Sequence, residues 1–143
     1  MKEIASRKVK LIHPEARVPR KNYINDSGWD VYVPETTTLE AKAMTRLYLG
    51  LAIEVKPGQM MTVRSRSSTK MKGLMCADTT CDADYTGEVF AYVYNTTDKP
   101  ITVERGERIV QVVFTKLASH TIMEEGDLPE GARGNRGLGS SGR

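Results

Sequence analysis

The stretch "EVFAYVYN", residues 88–95, alternates Val89, Ala91, Val93 and Asn95 with Phe90, Tyr92 and Tyr94. Successive side chains of a strand point to opposite faces, so the first set looks one way and the aromatics the other. Both sets are largely apolar, which predicts a strand buried on both sides. The same Val-, Ile-, Tyr- and Thr-rich character recurs at residues 9–12, 29–33, 46–55, 60–65, 101–104 and 108–117. Turn-forming clusters separate these runs: "DSG" (26–28), "KPGQ" (56–59), "YTGE" (85–88), "TTDKP" (96–100) and "ERGER" (104–108). Many short strands divided by such turns predict an all-β fold, a jelly-roll-like sandwich or barrel. The helix candidate is short, "SSTKMKGL" (67–74), opened by a Ser cap and closed by Gly73.

A length of 143 residues suits one domain with a real core. The expected organisation is a β domain over 1–129 and a C-terminal arm over 130–143. Net charge is +3, with the basic residues spread along the chain rather than gathered in a run. That pattern argues against a nucleic-acid polymer as partner and suits a small anionic substrate. No stretch approaches the length of a membrane span, and the N-terminal residues lack the apolar core of a signal peptide. The expected location is the cytoplasm, with no membrane partner. Cys76 and Cys81 have no second Cys pair, and His13 and His120 are distant in sequence, so they read as ordinary thiols rather than zinc ligands.

Polar clusters interrupt the apolar runs. "DSGWDVYV" places Asp26 and Asp30 around a glycine turn. "RSRSSTK" sets three cations and four hydroxyls where a strand meets the helix candidate, an arrangement suited to capping or to holding an anion. "CDADYTGE" places Asp82 and Asp84 before Tyr85 and a glycine turn, which suits either a plain strand entry or a carboxylate that activates water. "GERIVQVVF" buries Gln111 in an apolar strand. The tail "EGARGNRGLGSSGR" (130–143) has five glycines, two serines and three arginines and almost nothing to bury. Alone it should be flexible, yet Arg beside Gly and Ser also suits gripping a phosphate. Its Gly137-x-Gly139-x-x-Gly142 is not expected to be a dinucleotide fingerprint, since that motif works only between a strand and a helix.

Taken in order, these clusters resemble the five-motif signature of the trimeric dUTP pyrophosphatases, the dUTPases. The resemblance runs over about residues 9–142. It implies a β-rich jelly roll and a homotrimer with active sites at subunit interfaces. It also implies hydrolysis of dUTP to dUMP and pyrophosphate, with Mg2+ held by the substrate phosphates and waters rather than directly by the protein. By the same resemblance Asp82 deprotonates the attacking water and Tyr85 packs on the deoxyribose. Arg66, Ser67, Ser68 and Gln111 serve the phosphates, and Asp30 supports that region. Arg133, Leu138, Gly139, Ser140 and Ser141 form the closing flap. Asp84 is the rival base; Asp82 is preferred because the family places its base three residues before the Tyr, and an extended backbone would turn Asp84 away.

Two departures bear on the base. The flap position usually held by Phe is Leu138, which can cover a base but not stack on it. The hairpin that reads uracil ends in "CADTTCDADY" without the usual glycine, and the span from Arg66 to Asp82 is short. Asp78, Thr80 and Cys81 therefore take the base-reading positions. Asp78 could accept a hydrogen bond from the amino group of cytosine. The alternatives are a dCTP-cleaving or dual-specificity pyrophosphatase, less readily a dCTP deaminase, and, from another class, a nucleotide-gated binding or regulatory protein.

Overall fold

The computed structural model describes residues 6–139, 141 and 142. Among them the chain runs through β1 (Val9–Leu11), β2 (Gly28–Tyr32), β3 (Thr37–Leu39), β4 (Met44–Tyr48), β5 (Leu51–Ile53) and β6 (Gln59–Ser65). There follow α1 (Ser67–Met71), β7 (Leu74–Ala77), β8 (Thr79–Cys81), β9 (Phe90–Asn95), β10 (Ile101–Val103) and β11 (Arg108–Lys116). One sheet has the order β2-β11-β6-β8, a second β4-β9-β7, and β1-β5 and β10-β3 form two-stranded ribbons. All pairings are antiparallel. The fold is all-β and jelly-roll-like with one short helix. Its core draws Val31, Val63, Val110 and Val112 from the first sheet and Leu74, Ala91 and Val93 from the second, all fully buried. Each buried Val or Leu contributes roughly 1.5–3 kcal/mol relative to exposure.

β9 has the predicted alternation but not the predicted burial. Val89, Ala91, Val93 and Asn95 are buried, whereas Phe90, Tyr92 and Tyr94 are only half-buried. Asn95 lies on the apolar face because its amide closes the following turn. Nδ2 donates to the Leu39 carbonyl at 2.9 Å and the Lys99 carbonyl at 2.8 Å, and Oδ1 accepts from the Thr97 N–H at 2.9 Å. A buried amide so paired costs little.

The run 46–55 is two strands, not one. Gly50 has φ +73°, and a Cβ there would meet the His13 Cβ at 2.6 Å. The chain turns at this glycine and changes partner, from β9 for β4 to β1 for β5. The helix also differs. It covers Ser67–Met71, and its N-cap is Arg66 with no side-chain cap hydrogen bond, so the expected Ser cap is absent. Tertiary contact substitutes for the cap: buried Thr69 donates to the Ile109 carbonyl at 2.5 Å. Gly73 closes the turn at φ +82°, as expected.

The segment before Asp82 does not fold as one hairpin. β7 pairs with β9 in one sheet, and β8 pairs with β6 in the other. The chain crosses between sheets at Asp78, leaving β8 as an edge strand.

Candidate functional site

Two separate groups of site residues emerge. The first lies where β2, β11 and the end of β6 meet. Asp30 is a buried carboxylate, 5% exposed, and a buried charge survives only when paired. Its Oδ1 meets Arg66 Nε at 2.9 Å, and its Oδ2 meets Arg108 Nη1 at 3.3 Å. Asn22 Nδ2 donates to the same Oδ2 at 2.9 Å, while Arg108 Nη1 donates to Asn22 Oδ1 at 2.9 Å. Arg66 Nη1 donates to the Arg108 carbonyl at 2.6 Å and reaches Ser68 Oγ at 3.5 Å. Two guanidinium groups against one carboxylate leave the cluster net cationic.

Gln111 joins this group through the sheet, where Asp30 and Arg64 are its cross-strand partners. Its Nε2 donates to the Ser65 carbonyl at 3.0 Å. The side chain lies over Gly28, where an added Cβ would come within 2.0 Å of Gln111 Oε1. Glycine at 28 is therefore a packing requirement of Gln111. Ser67 and Ser68 are exposed at the start of α1 beside the cluster.

The second group is a cleft of about 120 Å³ between the edge strand β8 and the start of β9. Thr79, Thr80, Cys81, Asp82, Tyr85, Val89 and Phe90 line it. Residues 82–85 form a turn closed by the Tyr85 N–H on the Asp82 carbonyl at 3.1 Å, so the extended backbone assumed for Asp84 is not present. Asp82 nevertheless lines the cleft and Asp84 does not. The Tyr85 hydroxyl donates to the Glu88 carbonyl at 2.7 Å and folds the ring back across Gly87, where a Cβ would strike that hydroxyl at 2.8 Å. Cys81 turns its side chain into the core, while Thr79 and Thr80 beside it line the cleft. Burial first, and the charge of Asp82 second, push its thiol pKa up. Burial likewise raises Cys76, with a Ser65 hydrogen bond opposing. Neither thiol is poised as a nucleophile.

Asp78 is not on the cleft wall. It is exposed and pairs with Arg64 at 3.3 Å. The arm residues Arg133, Leu138, Gly139 and Ser141 are exposed, and no hydrogen bond or ion pair joins them to either group among the described residues. Ser140 lies outside the described residues. Asn22, Arg108 and Phe90 were not singled out from sequence. Arg108 stood within the quoted "GERIVQVVF", whereas Asn22 had no local signal.

β6 sets the distance between the two groups. Cys81 pairs with Met61, and Arg66 lies five residues further along. At roughly 3.3 Å per residue, Asp82 and Arg66 stand on the order of 17–20 Å apart along the strand.

The jelly roll thus carries a fixed cationic cluster at one end of a strand and a cleft with a solvent-facing carboxylate at the other. The chain belongs to the dUTPase family, whose model matches residues 14–142. It is 34% identical over 133 residues to the deoxyuridine 5'-triphosphate nucleotidohydrolase of an Anaeromyxobacter species, covering 91% of this chain and 90% of that protein. Identity to the protein of the same name from Helicobacter hepaticus is 31% over 138 residues, covering 94% and 87%. The fold superposes on a variant of the Staphylococcus bacteriophage 80alpha dUTPase solved with dUpNHpp, with TM-score 0.90 and 23% identity, covering 98% of this chain and 100% of that one.

Proposed function

We propose that this protein hydrolyses dUTP to dUMP and pyrophosphate, at sites each assembled from more than one copy of the chain. The observation that carries the reading is the setting of Asp82. It lines the cleft beside Tyr85, and among the described residues no ion pair or side-chain hydrogen bond engages it. Such a carboxylate is free to accept a proton from water. The water oxygen attacks the α-phosphorus, the bond to the bridging oxygen breaks, and pyrophosphate leaves. Tyr85 would back the deoxyribose, and the edge of β8 at Thr79, Thr80 and Cys81 would meet the base.

The triphosphate carries about four negative charges, and attack on it requires their neutralisation. Arg66, Gln111, Ser67 and Ser68 would bind the phosphates, with Asp30 holding Arg66. Mg2+ would arrive with the nucleotide and share that charge. The arm from Arg133 to Ser141 would close over the nucleotide.

The separation along β6 supports sharing between copies, because Asp82 and Arg66 of one chain stand too far apart to serve one triphosphate. The half-exposed aromatic face of β9, flanked by exposed Met44, Tyr48 and Met75, supports burial against another copy in a trimer. Uracil is favoured over cytosine because the carboxylate that could have read an amino group, Asp78, is held by Arg64 away from the cleft.

The test is incubation with dUTP and each of the common dNTPs, measuring pyrophosphate release. Release from dUTP well above that from dCTP is expected. Comparable or greater release from dCTP would move the assignment to the dual or dCTP-specific alternative, and no release with retained binding would favour a nucleotide-gated binding protein.

A further inference from the structure

The loop from Arg20 to Ser27 carries no charge that the proposed reaction uses, yet it is built with care. The backbones of Arg20 and Asp30 exchange two hydrogen bonds, at 2.9 Å and 2.7 Å. The Asp26 carboxylate accepts from the Tyr23 N–H at 3.0 Å, and the Asp26 N–H donates to the Tyr23 carbonyl at 3.0 Å. These bonds fix the loop at both ends of a short arc. Between them it presents Asn22, whose amide contacts both Asp30 and Arg108.

We infer that Asn22 is a positioning residue for the phosphate-binding cluster. This rests on the function proposed above and adds a residue to it. Its uncharged amide serves both neighbours at once, giving N–H to a carboxylate and C=O to a guanidinium. Asp30 Oδ1 is occupied by Arg66 at 2.9 Å, whereas its contact with Arg108 on Oδ2 is longer, at 3.3 Å. Asn22 supplies the shorter 2.9 Å bond on that oxygen and holds Arg108 from the other side at the same distance. It thereby stops the carboxylate from rotating toward Arg108, and Arg66 keeps its orientation. Removing the amide leaves the buried carboxylate a donor short and lets both guanidiniums drift.

The role separates from simple packing by an isosteric exchange. Asn22→Asp keeps the shape and the acceptor for Arg108 but removes the donor and sets two carboxylates in contact. Asn22→Ala removes both contacts without adding charge. The measurement is steady-state hydrolysis of Mg-dUTP by the full chain, with melting temperatures to confirm folding. Binding of inorganic tripolyphosphate by calorimetry accompanies it as a readout free of turnover. KM and the tripolyphosphate Kd should rise about tenfold in Asn22→Ala, since hydrogen bonds to charged groups carry that much, and further in Asn22→Asp, with kcat changed less than KM. Unchanged constants in Asn22→Ala, or wild-type behaviour of Asn22→Asp at neutral pH, overturn the inference. A wild-type chain that binds tripolyphosphate but does not cleave dUTP refutes the proposed function and leaves this one standing on the binding data.

Discussion

The two ends of β6 are made differently. At one end Asp30, Arg66, Arg108 and Asn22 are locked by hydrogen bonds of 2.6–3.3 Å around a buried carboxylate. At the other, Asp82 stands on a turn beside an edge strand, with no partner of its own among the described residues. The first arrangement suits a charge-binding task, where fixed donors avoid reorganisation when the polyanion arrives. The second suits proton transfer, where the acceptor must remain free for water. Rigidity and freedom are thus kept apart on one strand and would be brought together only between copies. The arm is a third case. Arg133 and Leu138 are exposed, and among the described residues no hydrogen bond or ion pair joins them to either group, so their docking over a site would fall to the bound nucleotide.

The largest way to break this contrast is at the free carboxylate. Asp82→Asn should lower kcat by about 100- to 10,000-fold while nucleotide binding survives. Near wild-type turnover would move the base elsewhere, with Asp84 next in line. Removal of the arm comes second. A chain ending at Ala132 should keep the melting behaviour of the full protein yet lose most of its activity. Loss of folding instead would make the arm structural.

Gly28→Ala tests the rigid end more gently. The new Cβ would displace the flexible end of Gln111, so the expected outcome is a several-fold rise in KM with a small change in melting temperature. A collapse of stability would show that the strand, not Gln111, yields. The smallest effect concerns the thiols. Burial raises both, so the unfolded chain releases these protons first as pH rises. Their contribution to stability is complete below the ordinary thiol range, roughly 8.5, and is lost as pH climbs through the raised folded values. Urea midpoints should decline modestly above that range, and Cys76→Ala with Cys81→Ala should flatten the decline.

The same contrast explains what could be read from the sequence. Of the longer strands, β9 shows itself by the alternation of its side chains and β11 by its run of Ile and Val. The three residues of β3 (TTL) and of β8 (TTC) do not show themselves, because each sets one apolar side chain beside two threonines, whereas the equally short β1 (VKL) and β10 (ITV) carry two aliphatic residues each. Asp30, Arg66 and Gln111 were visible as polar residues interrupting apolar runs. Asn22 was not, since its role arises from a backbone bridge between Arg20 and Asp30 that only the folded chain forms. Half-burial of Phe90, Tyr92 and Tyr94 likewise departs from a pattern that looked buried on both sides, and that departure marks the face proposed to meet another copy.

The central claim is that the cationic cluster of one copy serves the Asp82 of another. Asp82→Asn and Arg66→Ala chains, each impaired alone, should regain a substantial fraction of dUTP hydrolysis when unfolded together and refolded as a mixture. Mixed assemblies then contain some sites with both native residues. Activity that stays at the average of the two separately refolded variants would contradict the claim and place the whole site within a single chain.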